Sequence, residues 1–224
     1  MIKERVTEYS REVAQRRANP ARFNHPLALA IEWTPLKGGG ATFRTHDLHL
    51  VGAGRIEFRQ SVGFRLFLGL FMVAGVILFV LNLPGMPMHA AIGSKVLRGI
   101  VMIASALVAV CMAVVLIRRD SVVFARTEGF FWSGRRKGAR LPARHCALDT
   151  IAGLQILAER ISDVGDGRRR WSYELNLVLN DGKRLNVVDH GSLEDVRAAA
   201  EKIQMFLPTR PPIWDATVDS GEGD

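Results

Sequence analysis

Charged side chains are absent from two long stretches of this 224-residue chain, and this absence is its most informative feature. Residues 66–83 and 99–117 contain no Asp, Glu, Lys, Arg or His, and most of their side chains are apolar. As helices with a rise of about 1.5 Å per residue, these runs of 18 and 19 residues would extend about 27 to 29 Å, which matches a bilayer's hydrocarbon core. We therefore expect a transmembrane hairpin with spans at about 63–83 and 97–117, and not a soluble protein.

Cysteine is scarce, because the chain contains only Cys111 and Cys146. The first lies in the second apolar run and the second lies well beyond it, so we expect no disulfide between them. The N-terminal residues MIKERVTEYSREVAQRR lack the apolar core of a secretory signal. We therefore expect the first span to remain uncleaved.

Motifs for catalysis and for nucleotide binding are missing as well. KGGGAT lacks the Gly-Lys-Ser/Thr of a phosphate loop, and VGAGRIE lacks the third glycine of a dinucleotide fingerprint. Neither span has a strongly ionisable group near its centre, which disfavours channels and transporters. We expect no catalytic residue, no metal and no cofactor. The alternative is a metal-binding or enzymatic membrane protein that uses His46, Asp47, His49, His145 and Cys146, although on a strand only Asp47 and His49 of the first three share a side.

Lysine and arginine are distributed unevenly around the two spans. Ten lie in residues 1–62 and seventeen in residues 118–224, whereas the loop between the spans, residues 84–95, contains only Lys95. Because positive charge close to a span favours the cytosolic side, we expect a multi-pass protein of the cell inner membrane with both termini in the cytosol.

Apolar and polar periodicity divides the rest of the chain. Residues 1–62 should hold an amphipathic helix over residues 1–17, either on the membrane or a partner or simply solvated, and then a short strand pair at 41–51 and 55–61. The sequence leaves open whether this strand pair joins the later sheet. Residues 119–208 should form an antiparallel β domain closed by a helix that begins at Ser192 and ends before Pro208, and residues 209–224 a flexible acidic tail. The expected strands of that domain are 121–126, 129–133, 148–158, 171–179 and 183–189. The fold class is therefore α+β, with a helical hairpin in residues 63–118.

The strand at 171–179 alternates apolar and polar residues, which predicts one buried face. A three-residue loop at 180–182 would pair Leu177 with Leu185 and Leu175 with Val187, so that the apolar faces match. This loop requires Gly182 to be left-handed.

This order of elements resembles the bacterial pleckstrin-homology-like (PH-like) membrane proteins. The resemblance covers about residues 60–208 and rests on paired apolar helices, then antiparallel strands and one C-terminal amphipathic helix, with SVVFARTEGFFW, LPARHCALDTIAGLQIL and YELNLVLNDGKRLNVVDHG among its pieces. It implies a binding or scaffolding module without a shared cofactor. We therefore expect a non-enzymatic membrane scaffold whose cytosolic domain contacts anionic lipid or a protein partner.

Basic residues cluster just after the second span. Residues 118–144 contain eight basic side chains and two acidic ones, whereas residues 145–224 contain nine basic and fourteen acidic ones. The predicted lipid-binding residues are Arg118, Arg119, Arg135, Arg136, Lys137 and Arg140. The alternative is that these side chains only fix the topology and solvate a loop. Nucleic acid is not an expected partner, because the cluster lacks an aromatic platform.

Small residues recur inside the apolar runs and predict close helix packing. Ser105, Ala109 and Ala113 lie four residues apart on the second run, and Ala74 and Gly75 lie at a similar depth on the first. The packing would join the two helices of one chain or those of a homo-oligomer.

Overall fold

The computed structural model describes residues 18–36, 38–83, 95–117, 122–138, 140–162 and 169–217. The chain divides into two compact units. One is formed by Met1–Arg59 together with Ser121–Asp224, and the other by Gln60–Asp120. The predicted helix at residues 1–17, the loop at 84–94 and the last residues of the tail lie outside the described residues.

The unit from Gln60 to Asp120 contains two long helices, α2 (Val62–Leu81) and α3 (Lys95–Ile117). Both are long and apolar enough to cross a membrane. Helix α2 begins at Ser61, whose hydroxyl accepts a hydrogen bond from the Phe64 amide at 3.1 Å. The two helices pack along each other, but most of their large apolar side chains are exposed.

The other unit opens with a short 3-10 helix, Pro20–Phe23, and helix α1 (Pro26–Ala30). Five strands follow in its first sheet, in the order β1-β2-β3-β4-β5. They are β1 (His46–Leu50), β2 (Arg55–Gln60), β3 (Val122–Ala125), β4 (Phe130–Ser133) and β5 (Arg144–Ala147). Strands β2 and β3 pair antiparallel, so all of α2 and α3 is inserted, in chain order, between two neighbouring strands.

The second sheet has four strands in the order β8-β7-β6-β9. They are β6 (Ile151–Ser162), β7 (Arg169–Leu179), β8 (Arg184–His190) and β9 (Ile213–Asp215), and β9 runs parallel to β6. The strands predicted for residues 119–208 fall into two sheets, because a 3-10 turn at Leu148–Thr150 separates the last strand of the first sheet from the first strand of the second. The sequence reading missed β5 and β9.

The turn between β7 and β8 has the predicted geometry at its tip. Gly182 is left-handed, with φ of 81°, and Leu177 pairs with Leu185. The pairing of Leu175 with Val187 was wrong, since a bulge between Leu175 and Asn176 in the register places Leu175 opposite Val188.

Helix α4 (Leu193–Phe206) begins at the predicted N-cap, where the Ser192 hydroxyl accepts a hydrogen bond from the Asp195 amide at 3.2 Å. Its apolar stripe packs into a core to which both sheets contribute. Fully buried members of that core are Ile56, Phe124, Phe131, Leu154, Ile156, Leu175, Leu177, Ala200 and Ile203. Helix α4 therefore closes the β unit, as the amphipathic pattern predicted.

The other face of the second sheet is covered as well, contrary to the expectation of a single buried face. Ala28, Ile31 and Trp33 pack with Val178 and Trp214 in a second cluster. Trp214 is 1% exposed and fits against Gly153, where an added Cβ would lie 2.6 Å from the indole ring. The segment from Ala28 to Trp33 and the start of the predicted tail thus pack in the β unit.

Candidate functional site

The register of the first sheet places the end of β2, the start of β3, the end of β4 and the start of β5 side by side at one end of the sheet. Phe58 pairs with Val122, Val122 with Ser133, and Ser133 with Arg144. In chain order, this is the end from which the chain leaves for α2 and to which it returns from α3. Four basic residues lie at this end of the sheet, after the end of β4 or at the start of β5: Arg135, Lys137, Arg140 and Arg144. We call these four side chains the basic edge.

Side chains of the basic edge are exposed to solvent. Within the described part of the chain, none of the four forms an ion pair with a carboxylate. An isolated bridge between Lys137 and Arg140 holds the backbone of the loop. Four cations without bound counter-charges form a surface that attracts anions.

Arg136, which the sequence grouped with the lipid-binding residues, has a different environment. Its guanidinium forms an ion pair with Glu128 and lies 5.2 Å from the ring centre of Trp132. Arg55 lies over the same ring at 5.3 Å. This arrangement covers a small apolar cluster of Val123, Ala125 and Trp132 on the outer face of the first sheet. Arg136 therefore has structural contacts that its neighbours in the loop lack.

Arg118 and Arg119 lie outside the described residues, so nothing is stated of their placement. Arg59 follows Phe58 at the same strand end, and sequence reasoning did not single it out. Its guanidinium pairs with Glu57 at 2.7 Å. Together with Arg55, it lowers the pKa of the Glu57 carboxyl, although burial of that carboxyl acts in the opposite direction and is the largest single influence.

Within the helical unit, three of the five predicted small residues come together. A Cβ added at Gly75 would lie 2.9 Å from the Ser105 carbonyl oxygen and 3.3 Å from the Ala109 amide. Gly75 and Ser105 are buried, whereas Ala74 is exposed and Ala113 is half-buried. The close approach of the two backbones thus centres on Gly75, Ser105 and Ala109.

The residues of the alternative enzymatic or metal-binding hypothesis do not form one site. His49 and His145 are exposed, and His145 donates from Nδ1 to the Pro142 carbonyl oxygen at 2.7 Å. Cys146 is buried, and this burial raises the pKa of its thiol to about 12. In the ranges that the structure describes, no group of three or more His, Cys, Asp or Glu side chains is arranged to hold a metal ion.

His46 and Asp47 do have a partner that sequence reasoning missed, His190 at the end of β8. The three residues line a small cavity of about 90 Å³ between β1, β8 and α4. The imidazole of His190 accepts a hydrogen bond at Nδ1 from the Ser192 amide at 3.0 Å. Because Nδ1 is therefore unprotonated, the proton of the neutral ring is on Nε2, and that nitrogen cannot bind a metal.

A second missed cluster lies on the outer face of the second sheet. Glu174 is 4% exposed, and its carboxylate accepts hydrogen bonds from the Leu36 amide at 2.9 and 3.1 Å. Arg184 donates to the Thr34 carbonyl oxygen at 2.8 Å, and Gln155 donates to the Glu32 carbonyl oxygen at 3.0 Å. These side chains hold the backbone of residues 32–36 on the sheet. A buried run of polar residues on β7 is explained by this structural role.

Signals for this cluster exist in the sequence, but they are weak. The polar residues of β7, among them Glu174 and Asn176, match the pattern of an ordinary solvated face, and the Leu36 amide that binds Glu174 lies 138 positions earlier in the chain. Comparisons with known proteins add no assignment, because no protein-family model, no curated protein and no solved structure matches this chain. Its site must therefore be judged from the geometry of the described residues.

Proposed function

We propose that this chain is a non-enzymatic, two-helix protein of the inner membrane whose PH-like cytosolic unit contacts anionic lipid headgroups through the basic edge. The observation that carries the proposal is the insertion of α2 and α3 between paired strands β2 and β3. In this topology, the chain leaves the first sheet for the helices and returns from them at the same end of the sheet that carries the basic edge.

Membrane insertion is supported by the surface of the helical unit. Helices α2 and α3 contain 20 and 23 residues, which correspond to about 30 and 34 Å at the usual rise per residue. Of the most apolar 18-residue window in each helix, only 11% and 6% are buried in the structure. A core helix of a soluble protein would be mostly buried, so lipid is the solvent that fits these surfaces.

The charge asymmetry around the spans supports a cytosolic location of the β unit. Both connections between strands and helices are short in sequence, since only Ser61 lies between Gln60 and Val62, and only residues 118–121 lie between Ile117 and Val122. A reporter fused to the last residue should therefore be active in the cytosol and inactive outside, and extraction of broken-cell membranes at alkaline pH should leave the chain in the pellet. A supernatant protein, or an external reporter, would contradict the proposal.

Contact with lipid is supported by the charge state of the basic edge. Each juxtamembrane cation contributes on the order of 1 kcal/mol near an anionic leaflet, so three or four of them favour such a leaflet by about 3 to 4 kcal/mol. Screening by salt confines the attraction to about a Debye length. The order of elements in the β unit, with antiparallel strands and a closing helix, supports the PH-like resemblance.

The lipid contact can be tested with the full chain in nanodiscs. Hydrogen exchange of residues 134–144 should slow in discs with anionic phosphatidylglycerol compared with pure phosphatidylcholine, and this protection should vanish at high salt. The triple variant Arg135→Ser, Lys137→Ser, Arg140→Ser should lose the protection. A matched control, Lys183→Ser, Lys202→Ser, Arg210→Ser, removes the same charge from other exposed positions and should keep it.

Equal exchange in both kinds of disc would contradict lipid contact. Protection that appears only after a second protein is added would instead favour a protein partner at the basic edge. Protection lost equally in both triple variants would show a response to total charge and not to this surface.

A further inference from the structure

The environment of His190 leaves little freedom to its two ring nitrogens. The residue is 4% exposed, and Nδ1 accepts a hydrogen bond from the Ser192 amide. Nε2 therefore carries the proton, yet it is buried without a hydrogen-bond partner among the described residues. The distance from His190 Nε2 to the carboxylate oxygen Oδ2 of Asp195 is 3.8 Å, which is too long for a hydrogen bond.

The same hydrogen bond fixes a corner of the β unit. Ser192 is the N-cap of helix α4, so the Nδ1 contact holds the turn that starts the helix. The turn also meets the segment ahead of β1, because a Cβ added at Gly191 would collide with the backbone of Thr42 and Phe43. His190 thus supports two contacts at once, the start of α4 and the docking of residues 42–43.

Charged and titratable groups surround this corner from three elements. Arg44, His46 and Asp47 face it from β1 and the segment before it, Asp195 and Lys202 from α4, and Asp189 from β8. Arg44 binds Asp47 at 2.5 Å and lies 3.8 Å from Asp195. The cavity of about 90 Å³ between them gives the imidazole and the Asp195 side chain room to move.

We propose that this corner is an acid-operated latch, in which a proton taken from solvent onto His190 Nδ1 breaks the Ser192 hydrogen bond and releases the segment 42–50 from the start of α4. The ring keeps its proton on Nε2 and becomes an imidazolium that pairs with Asp195. The neutral state holds the latch closed because only an unprotonated Nδ1 can accept from the Ser192 amide.

Burial supports the direction of this switch. Desolvation lowers the pKa of both His190 and His46, while Asp195 and Asp47 raise the pKa of His190 and Arg44 lowers it. Because the folded-state pKa lies below the unfolded value of 6.5, the unfolded state binds more protons over this range. The contact is therefore complete above about pH 6.5 and weakens as the pH falls toward the folded-state pKa.

Hydrogen exchange of the full chain in detergent tests the latch. After correction for intrinsic rates, amides of residues 42–50 and 190–196 should exchange faster near pH 5.5 than near pH 7.5, by up to about tenfold for the one proton that His190 takes up. His190→Asn places an amide oxygen where Nδ1 accepts the hydrogen bond, and the Asn side chain cannot titrate. This variant should therefore lose most of the increase in exchange between pH 7.5 and pH 5.5. His49→Asn, an exposed control on β1, should retain it.

Retention of the full increase in His190→Asn would overturn the proposal, as would an absence of any increase in the wild-type chain. If His190→Asn does not fold, nitrogen NMR of the wild-type imidazole gives an independent answer. A neutral ring with the proton on Nδ1 would also overturn the latch, because that tautomer cannot accept from Ser192.

Discussion

Local sequence predicts the conformation of some single residues in the β unit but not the contacts of others. Gly182 was predicted because matching the faces of two strands needs a left-handed residue at that point, and its φ of 81° confirms this. Arg136 could not be separated from its basic neighbours by sequence, since its partners Glu128 and Trp132 are brought to it only by strand pairing.

Cys146 gives a prediction at this scale. Its pKa of about 12, against an ordinary 9.0, leaves roughly a thousandfold fewer thiolates at neutral pH than a solvated cysteine has. In a Cys111→Ala background, Cys146 should therefore react with maleimide very slowly in the folded chain and rapidly in denaturant. Mass spectrometry after timed quenching measures both rates, and rapid labelling of the folded chain would contradict the buried placement.

At the scale of elements, long uniform segments were predictable and short mixed ones were not. Helices α2 and α3 were evident because an uncharged run of that length has few other structures available to it. Strands β5 and β9 are 4 and 3 residues long and combine polar with apolar side chains, so their pairing partners decide their conformation. The bulge in β7–β8 likewise depends on packing across the sheet.

The contact between α2 and α3 gives the prediction at this scale. Gly75→Leu should separate the helices at Ser105 and Ala109 and destabilise the hairpin by roughly 1 to 3 kcal/mol, because the added side chain meets backbone atoms. Unfolding of the full chain by sodium dodecyl sulfate in mixed micelles measures the change. Gly69→Leu, where an added Cβ meets nothing within 4 Å, is the matched control and should stay near the wild type. Equal effects of both substitutions would contradict the packing.

The whole molecule contains a helical unit and a β unit, which different sequence patterns predict. The apolar runs defined the helical unit, but the sequence left open whether the strands before the helices join those after them. Pairing of β2 with β3 joins them, and Trp33 covers the second sheet. Such contacts connect positions on both sides of the helices, so local patterns could not predict them.

Removal of the helices is the prediction at this scale. Phe58 pairs with Val122, and Arg59 and Ser121 are their neighbours in the sequence on the side of the helices. Replacing Gln60–Asp120 by Asn-Gly should connect β2 and β3 through a two-residue hairpin turn. The resulting β protein should stay in solution without detergent and unfold cooperatively. Joining Arg59 directly to Ser121 is the control, because it leaves no residues for the turn and should destabilise the first sheet. Circular dichroism during thermal unfolding compares the two, and an aggregated Asn-Gly variant would contradict the prediction.

The interrupted sheet imposes an order of events during synthesis. Strand β2 leaves the ribosome before α2, whereas its neighbour β3 is made only after α3 is complete. Until then, β2 has an unpaired edge, which is a site where a strand can pair wrongly. The first sheet can therefore become complete only after both helices have been synthesised.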